Sequence, residues 1–120
     1  SSHPGGELAR SVLRLIKPRV AVERSLSIYR DRTLPARRGA VELLRSIAGA
    51  EDVPMVRVFL DDPDEEIEAW GIGLLDQVIG DELVARKDVE PLLEYARTHS
   101  NPHVRAKVDF IEKVDFVEEE

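Results

Sequence analysis

Apolar and polar residues alternate along this chain with the period of an α-helix, most clearly in three stretches. Each stretch places apolar or small residues three or four positions apart, which puts them on one face of a helix. Proline, aspartate or asparagine stands near the start of each stretch, where these residues favour a first helical turn. Gly49 and Gly80 mark the ends of the first two. The three predicted faces are Ala36, Ala40, Leu43, Leu44 and Ile47; Ile67, Gly71, Leu74, Leu75 and Val78; and Val104, Val108, Ile111 and Val114.

A partner helix is predicted in front of each stretch, at about residues 19–30, 52–61 and 88–99. A further helix is predicted at about residues 7–17, ended by Pro18. The chain contains no run of alternating apolar and polar residues long enough to indicate a strand. The sequence therefore predicts an all-α protein with one leader helix and three helical hairpins.

The second and third hairpins repeat one another at an offset of thirty-seven residues. A less regular copy precedes them, offset by thirty-one residues from the second. A period of roughly 20–50 residues is typical of stacked supersecondary units, which present long surfaces to partners. The repeat thus favours binding over catalysis. The matched pairs are Pro54 and Pro91, Ile67 and Val104, Ala69 and Ala106, Leu74 and Ile111 in the later copies, and Ala36 and Ile67, Ala40 and Gly71 in the earlier ones.

Three segments resemble the HEAT-repeat family: Ala36–Leu44, Asp64–Leu75 and Asn101–Ala106. Second helices of that family often open with an acid and a Val-Arg pair, followed by small residues and a leucine pair. The resemblance covers about residues 20–115. It implies a short right-handed α-solenoid of about three HEAT-like hairpins, with the second helices lining the concave face.

The Val-Arg pair of that pattern is present at Val104 and Arg105, and Arg37 stands at the same register. Glu68 departs from it. An Asp–Arg ladder that sometimes links neighbouring units in the family is therefore expected to be incomplete here.

Composition places these hairpins in one domain. The 120 residues divide into a tail at 1–6, a single HEAT-like domain at 7–117 and an acidic tail at 118–120. Cysteine is absent, which excludes disulfides and thiolate metal sites. The longest uncharged apolar run, Ala69–Leu75, falls short of the roughly 20 residues that a membrane span needs. We expect a cytoplasmic protein that does not engage membranes.

Charge is distributed unevenly along the chain. Residues 1–50 carry ten basic and four acidic side chains, a net charge of +6. Because the whole chain has a net charge of −7, the remaining seventy residues have a net charge of −13. Opposite charge at the two ends allows partners of either sign, or head-to-tail self-association. Solvated helix faces give the same composition without any partner.

The candidate partner-binding residues lie on the predicted second helices. Arginine favours carboxylate or phosphate groups, and tryptophan and arginine dominate binding hot spots. Local pairing, for example of Arg38 with Glu42, is the alternative role of the arginines. The candidates are Trp70, Arg37, Arg38, Arg45 and Arg105.

Trp70 aligns with Gly39 and Lys107, which are not core-like positions. The side chain is therefore either an exposed anchor for a partner or a filler of the gap between two units. The small residues Gly71 and Gly73 beside it favour close approach of helices.

No catalytic residue, metal site or cofactor site is predicted. His99 and His103 stand on either side of a loop rather than on one helical face. The acids from Asp61 to Glu66 are explained by helix capping, and they lack the spacing of a calcium loop. A nucleophile–base pair and a phosphate-binding glycine loop are also missing from the sequence.

These observations favour a non-enzymatic scaffold or adaptor that binds another protein through the concave face of a short HEAT-like array. One alternative is a module that engages nucleic acid through the basic N-terminal half, although no aromatic residue stands among those arginines to stack on bases. An immunity or antitoxin-type inhibitor of a basic toxin and one end of a longer scaffold also remain open.

Overall fold

The computed structural model describes residues 18–115. The predicted leader helix at 7–17 and the tails at 1–6 and 118–120 lie outside these residues. The described part is all-helical and contains no strand, as the periodicity predicts. Its six α-helices are α1 (Pro18–Asp31), α2 (Leu34–Ile47), α3 (Pro54–Leu60), α4 (Glu65–Gly80), α5 (Arg86–Arg97) and α6 (Pro102–Phe110).

The predicted capping residues open the second helices of the later hairpins. The Asp64 carboxylate accepts the backbone N–H of Ile67 at 3.0 Å, at the start of α4. The Asn101 side chain accepts the N–H of His103 at 2.9 Å, at the start of α6. Both contacts satisfy an amide that would otherwise lack an acceptor in the first turn.

Helix α5 departs from the predicted repeat. Pro54 opens α3, whereas its counterpart Pro91 lies inside α5, which begins five residues earlier at Arg86. Proline has no N–H, so the carbonyl one turn back, on Lys87, lacks its usual helical partner. The last helix also ends irregularly, because α6 passes into a π-helical turn at Ile111–Asp115.

The helices pair as three hairpins, with α1 on α2, α3 on α4 and α5 on α6. The second helices also contact one another in chain order, α2 with α4 and α4 with α6. They run parallel: Arg38 near the start of α2 pairs with Asp64 at the start of α4, and Arg45 further along α2 lies beside Gly73. We call α2, α4 and α6 together the second-helix layer.

The centre of the core lies around α4, whose buried residues cover most of its circumference. Gly71 brings α3 against this helix, because a Cβ at Gly71 would lie 2.6 Å from Cβ of Phe59. The close approach predicted for this glycine is thus confirmed. The largest fully buried side chains include Leu44, Phe59, Leu60, Ile67, Ile72 and Leu74.

No helix within residues 18–115 combines the length and the apolar character required to cross a membrane.

Candidate partner-binding face and the junctions between hairpins

All five predicted site residues belong to the second-helix layer. Arg37, Arg38 and Arg45 lie on α2, Trp70 lies on α4, and Arg105 lies on α6. The structure does not gather them into one cluster. Arg37 and Arg38 form ion pairs with aspartates of the same chain. Arg45 and Trp70 pack together, and Arg105 lies apart from the others.

Arg37 joins the first hairpin to the loop before α4. Its Nη2 lies 2.5 Å from Oδ2 of Asp62, whose side chain is only 3% exposed. The hydroxyl of Tyr29 donates to the same carboxylate oxygen at 2.7 Å, and Nε of Arg37 donates to the carbonyl oxygen of Tyr29 at 2.9 Å. Burial, reinforced by the hydrogen bond to Asp62, raises the pKa of Tyr29 to about 12.

Arg38 makes a two-pronged contact with Asp64. Nε and Nη2 of the guanidinium reach the two carboxylate oxygens at 3.1 and 2.7 Å, the geometry in which arginine binds a carboxylate best. The hydrogen bond from Arg38 holds the pKa of Asp64 below its ordinary value. Pairing with Glu42, suggested from the sequence, is wrong: Asp64 is fixed by its cap and offers both oxygens at once, which a neighbour on the same helix does not. We call Tyr29, Arg37, Arg38, Asp62 and Asp64 the first junction.

The second junction links the second and third hairpins through Glu68, His99 and Asn101. The Asn101 side-chain amide donates to Oε1 of Glu68 at 2.9 Å and to the carbonyl of Glu65 at 3.1 Å. The backbone N–H of Asn101 donates to Nδ1 of His99 at 3.0 Å, so Nε2 carries the proton and donates to the carbonyl of Leu60 at 2.6 Å.

Glu68 is therefore not a break between units. It occupies the position that Arg37 holds one unit earlier, and it accepts where Arg37 donates. The loop residues change in the complementary sense, from aspartate at the first junction to asparagine and histidine at the second. The family pattern of arginine at this position does not predict the contact; the signal in the sequence is that the residues on both sides of the junction change together.

Arg105 holds the same position on the last helix. Its guanidinium is exposed and donates from Nη1 to the carbonyl oxygen of His99 at 2.6 Å. No carboxylate within the described residues forms an ion pair with it. Its charge remains available on the surface of α6.

Two of the predicted site residues, Arg45 and Trp70, pack against each other. The Arg45 guanidinium carbon lies 5.0 Å from the centre of the indole ring, a cation–π distance. Gly73 makes room for the arginine stem, since a Cβ there would lie 2.9 Å from its Cδ. Arg45 is exposed and has no ion-pair partner among the described residues.

Trp70 is neither a fully exposed anchor nor a fully buried filler between two units. It is partly buried against the core, with Arg45 over its ring rather than open solvent. Its indole N–H is buried and has no acceptor in the described part of the chain. A buried donor without an acceptor costs about 1–3 kcal/mol.

A shallow groove of mixed charge lies between the first two turns of α4 and those of α6. Lys107 on its far side lies 3.6 Å from Asp76, so both signs of charge are present close by. The groove is lined by Glu65, Glu66, Ala69, Ile72, His103 and Lys107.

The described residues offer no group of three or more metal-ligating side chains in suitable positions. His99 is bonded to backbone groups on both ring nitrogens, which leaves it no free lone pair for an ion. Comparison with protein-family models, with curated proteins and with solved structures finds no significant match to this chain.

Proposed function

We propose that this protein is a non-enzymatic protein-binding module whose second-helix layer docks a partner. The three parallel second helices, each backed by its first helix, support a short right-handed solenoid of HEAT-like hairpins. Arg37 and Glu68, which hold equivalent positions on their helices, also make polar contacts with the loop of the next hairpin, as expected of stacked units. In such an array each unit rests on its neighbours, and the layer forms one continuous surface.

The observation that carries the proposal is the state of Arg45 and Trp70. Arg37 and Arg38 direct their hydrogen bonds to aspartates of their own chain, so their charge is already compensated. Arg45 instead rests on an aromatic ring and has no carboxylate within the described residues. Tryptophan and arginine are among the residues most enriched in binding hot spots, and here they stand together.

The partner favoured by this pair is a protein surface that presents a carboxylate beside an apolar group. A carboxylate would complete the hydrogen bonds of Arg45, and the apolar group would pack against the indole. An arginine already packed over an aromatic ring loses less conformational freedom when a carboxylate binds, which favours affinity.

The test is capture of partners from a nuclease-treated lysate with wild type, Arg45→Glu and Trp70→Phe. Arg30→Glu serves as the matched control, because Arg30 is also exposed and has no ion pair in the described part of the chain. We expect a protein band that Arg30→Glu retains and that Arg45→Glu and Trp70→Phe each weaken by about tenfold or more, the range of a hot spot. Equal retention by all four proteins would contradict the proposal.

Tryptophan emission provides an independent measurement, because the chain has a single tryptophan. Binding at the proposed site should shift or quench this emission as the captured partner is titrated, and Arg45→Glu should weaken the response. A partner that binds with unchanged emission would occupy another surface.

Nucleic acid is the second candidate, supported by three exposed arginines of the first hairpin. Arg24, Arg30 and Arg32 have no ion pair within residues 18–115. Binding to phosphates would weaken steeply with added salt, because counterions are released. Loss of the captured material after nuclease treatment, together with a steep salt dependence and sensitivity to Arg30→Glu, would favour this candidate over the first.

A further inference from the structure

Helix α2 carries an apolar stripe that is mostly exposed, although several of its counterparts on the later second helices are buried. We call Ala36, Gly39, Leu43 and Ile47 the α2 stripe; they are spaced three and four residues apart and so share one helical face. Leu43 is 49% exposed among the described residues. The matching residues of α4 and α6, Leu74 and Ile111, are both 0% exposed.

The direction in which this stripe faces follows from α4. Trp70 stands on the corresponding stripe of α4 and Gly73 on its flank, and both meet Arg45 of α2. Each stripe therefore faces the second helix that precedes it in the layer. Helix α2 has no such neighbour among residues 18–115, and a Cβ at Gly39 would have no contact within 4 Å.

Helix α1 starts close to the end of α2. Nη1 of Arg19, in the first turn of α1, lies 2.7 Å from Oδ2 of Asp52, just beyond the end of α2. Lys17 precedes Pro18, and a residue before proline avoids the helical conformation, so the chain changes direction there. A helix ending at Lys17 can therefore fold back along α2 rather than continue α1.

Residues 7–17 have the pattern that the stripe requires. Leu8, Val12, Leu15 and Ile16 have the spacing of one helical face. A helix of this length spans about 16 Å, as does the stretch from Ala36 to Ile47. Three basic residues against one acid give the segment a charge of +2.

The surface beside the stripe has the complementary charge. Glu42 is exposed, lies on the flank of the stripe and forms no ion pair within the described residues. We propose that residues 7–17 dock on the α2 stripe as a helix parallel to α2, with Leu43 buried beneath it, as a fourth member of the second-helix layer.

Hydrogen exchange of the backbone amides of residues 8–16 in the full chain tests this directly. The variants are Leu43→Glu and, as matched control, Leu83→Glu, since Leu83 is 46% exposed on the loop after α4. Docking predicts protected amides in wild type and in Leu83→Glu, and a loss of protection of about tenfold or more in Leu43→Glu, because a charged group would enter an apolar contact. Both positions are half-exposed within the described residues, so neither variant threatens the fold of α1 to α6.

Disulfide trapping gives a second measurement, which the cysteine-free chain makes unambiguous. Val12→Cys with Leu43→Cys should form an intramolecular bond on mild oxidation, and Val12→Cys with Leu83→Cys should not. Sedimentation at several concentrations completes the set. Free hydrogen exchange of the backbone amides of residues 8–16 in a monomeric wild type would overturn the proposal. A concentration-dependent dimer that Leu43→Glu dissociates would also overturn it, because a second copy of the chain would then cover the stripe.

Discussion

Replacing Asp62 with alanine removes the acceptor at the centre of the first junction. The side chain accepts hydrogen bonds from the Tyr29 hydroxyl at 2.7 Å, from Arg37 at 2.5 Å and from the backbone N–H of Asp64 at 2.9 Å. Because the carboxylate is 3% exposed, the groups left behind are largely hidden from water. Breaking a buried pair in this way costs about 3–5 kcal/mol, a large part of the roughly 5–15 kcal/mol that stabilises a small domain.

The preceding residue supplies the control. Asp61 pairs with Arg57 at 3.3 Å and accepts a hydrogen bond from Tyr95, but its side chain is 49% exposed. Solvent screens such contacts, so Asp61→Ala should cost only about 0–1 kcal/mol.

Urea denaturation followed by circular dichroism measures both variants. Asp62→Ala should lower the midpoint strongly and leave the dependence of the unfolding free energy on urea unchanged, which would exclude altered compactness as the cause. If Asp62→Ala cost no more than Asp61→Ala, the assignment of the first junction as the main polar link between the two hairpins would be refuted.

Three further perturbations test other parts of the structure. The folded protein raises the pKa of Tyr29 from 10.0 to about 12 and so favours the neutral phenol. The resulting stability, roughly 2–3 kcal/mol, is present in full below pH 10 and is lost as the pH rises towards 12. Alkaline denaturation of Tyr29→Phe should lack this loss. Gly71→Ala should destabilise the fold by about 1–3 kcal/mol, because the new Cβ overlaps the side chain of Phe59. Gly73→Ala should be neutral or stabilise by up to about 1 kcal/mol through helix propensity, because only the flexible Arg45 side chain must move. Equal melting temperatures of the two variants would contradict this contrast. Glu68→Arg should destabilise by about 2–4 kcal/mol by setting donor against donor, and adding Asn101→Asp should recover part of that loss; additive effects in this double-mutant cycle would disprove the contact.

The helices were predictable from the sequence because their signals are local. The spacing of Ile67, Leu74 and Val78 predicts the face of α4, and Asp64 and Asn101 identify the starts of α4 and α6. Each of these signals acts within one or two helical turns and does not depend on the rest of the fold.

The junctions were not predictable in the same way. The partner of Arg38 lies twenty-six residues away, and only the stacking of α4 on α2 brings it closer than the nearby Glu42. The start of α5 was predicted two residues late, because Pro91 was assigned to the first turn that its counterpart Pro54 occupies. The state of Trp70 depends on where a single arginine side chain lies, and no pattern in the sequence specifies that.

Donor and acceptor are exchanged between the two junctions, so the polar contacts of each hairpin fit one neighbour better than another. Similar units in one chain are prone to pair in the wrong order during folding or to exchange between molecules. If the third hairpin packed on the first in the same register, His99 would replace Asp62 and Asn101 would replace Asp64, so neither Arg37 nor Arg38 would meet a carboxylate. If the second packed on another copy of itself, Asp62 would meet Glu68, and two carboxylates would repel one another. The polar contacts at the two junctions therefore favour the order that the units have in the chain, because that order pairs each donor with an acceptor.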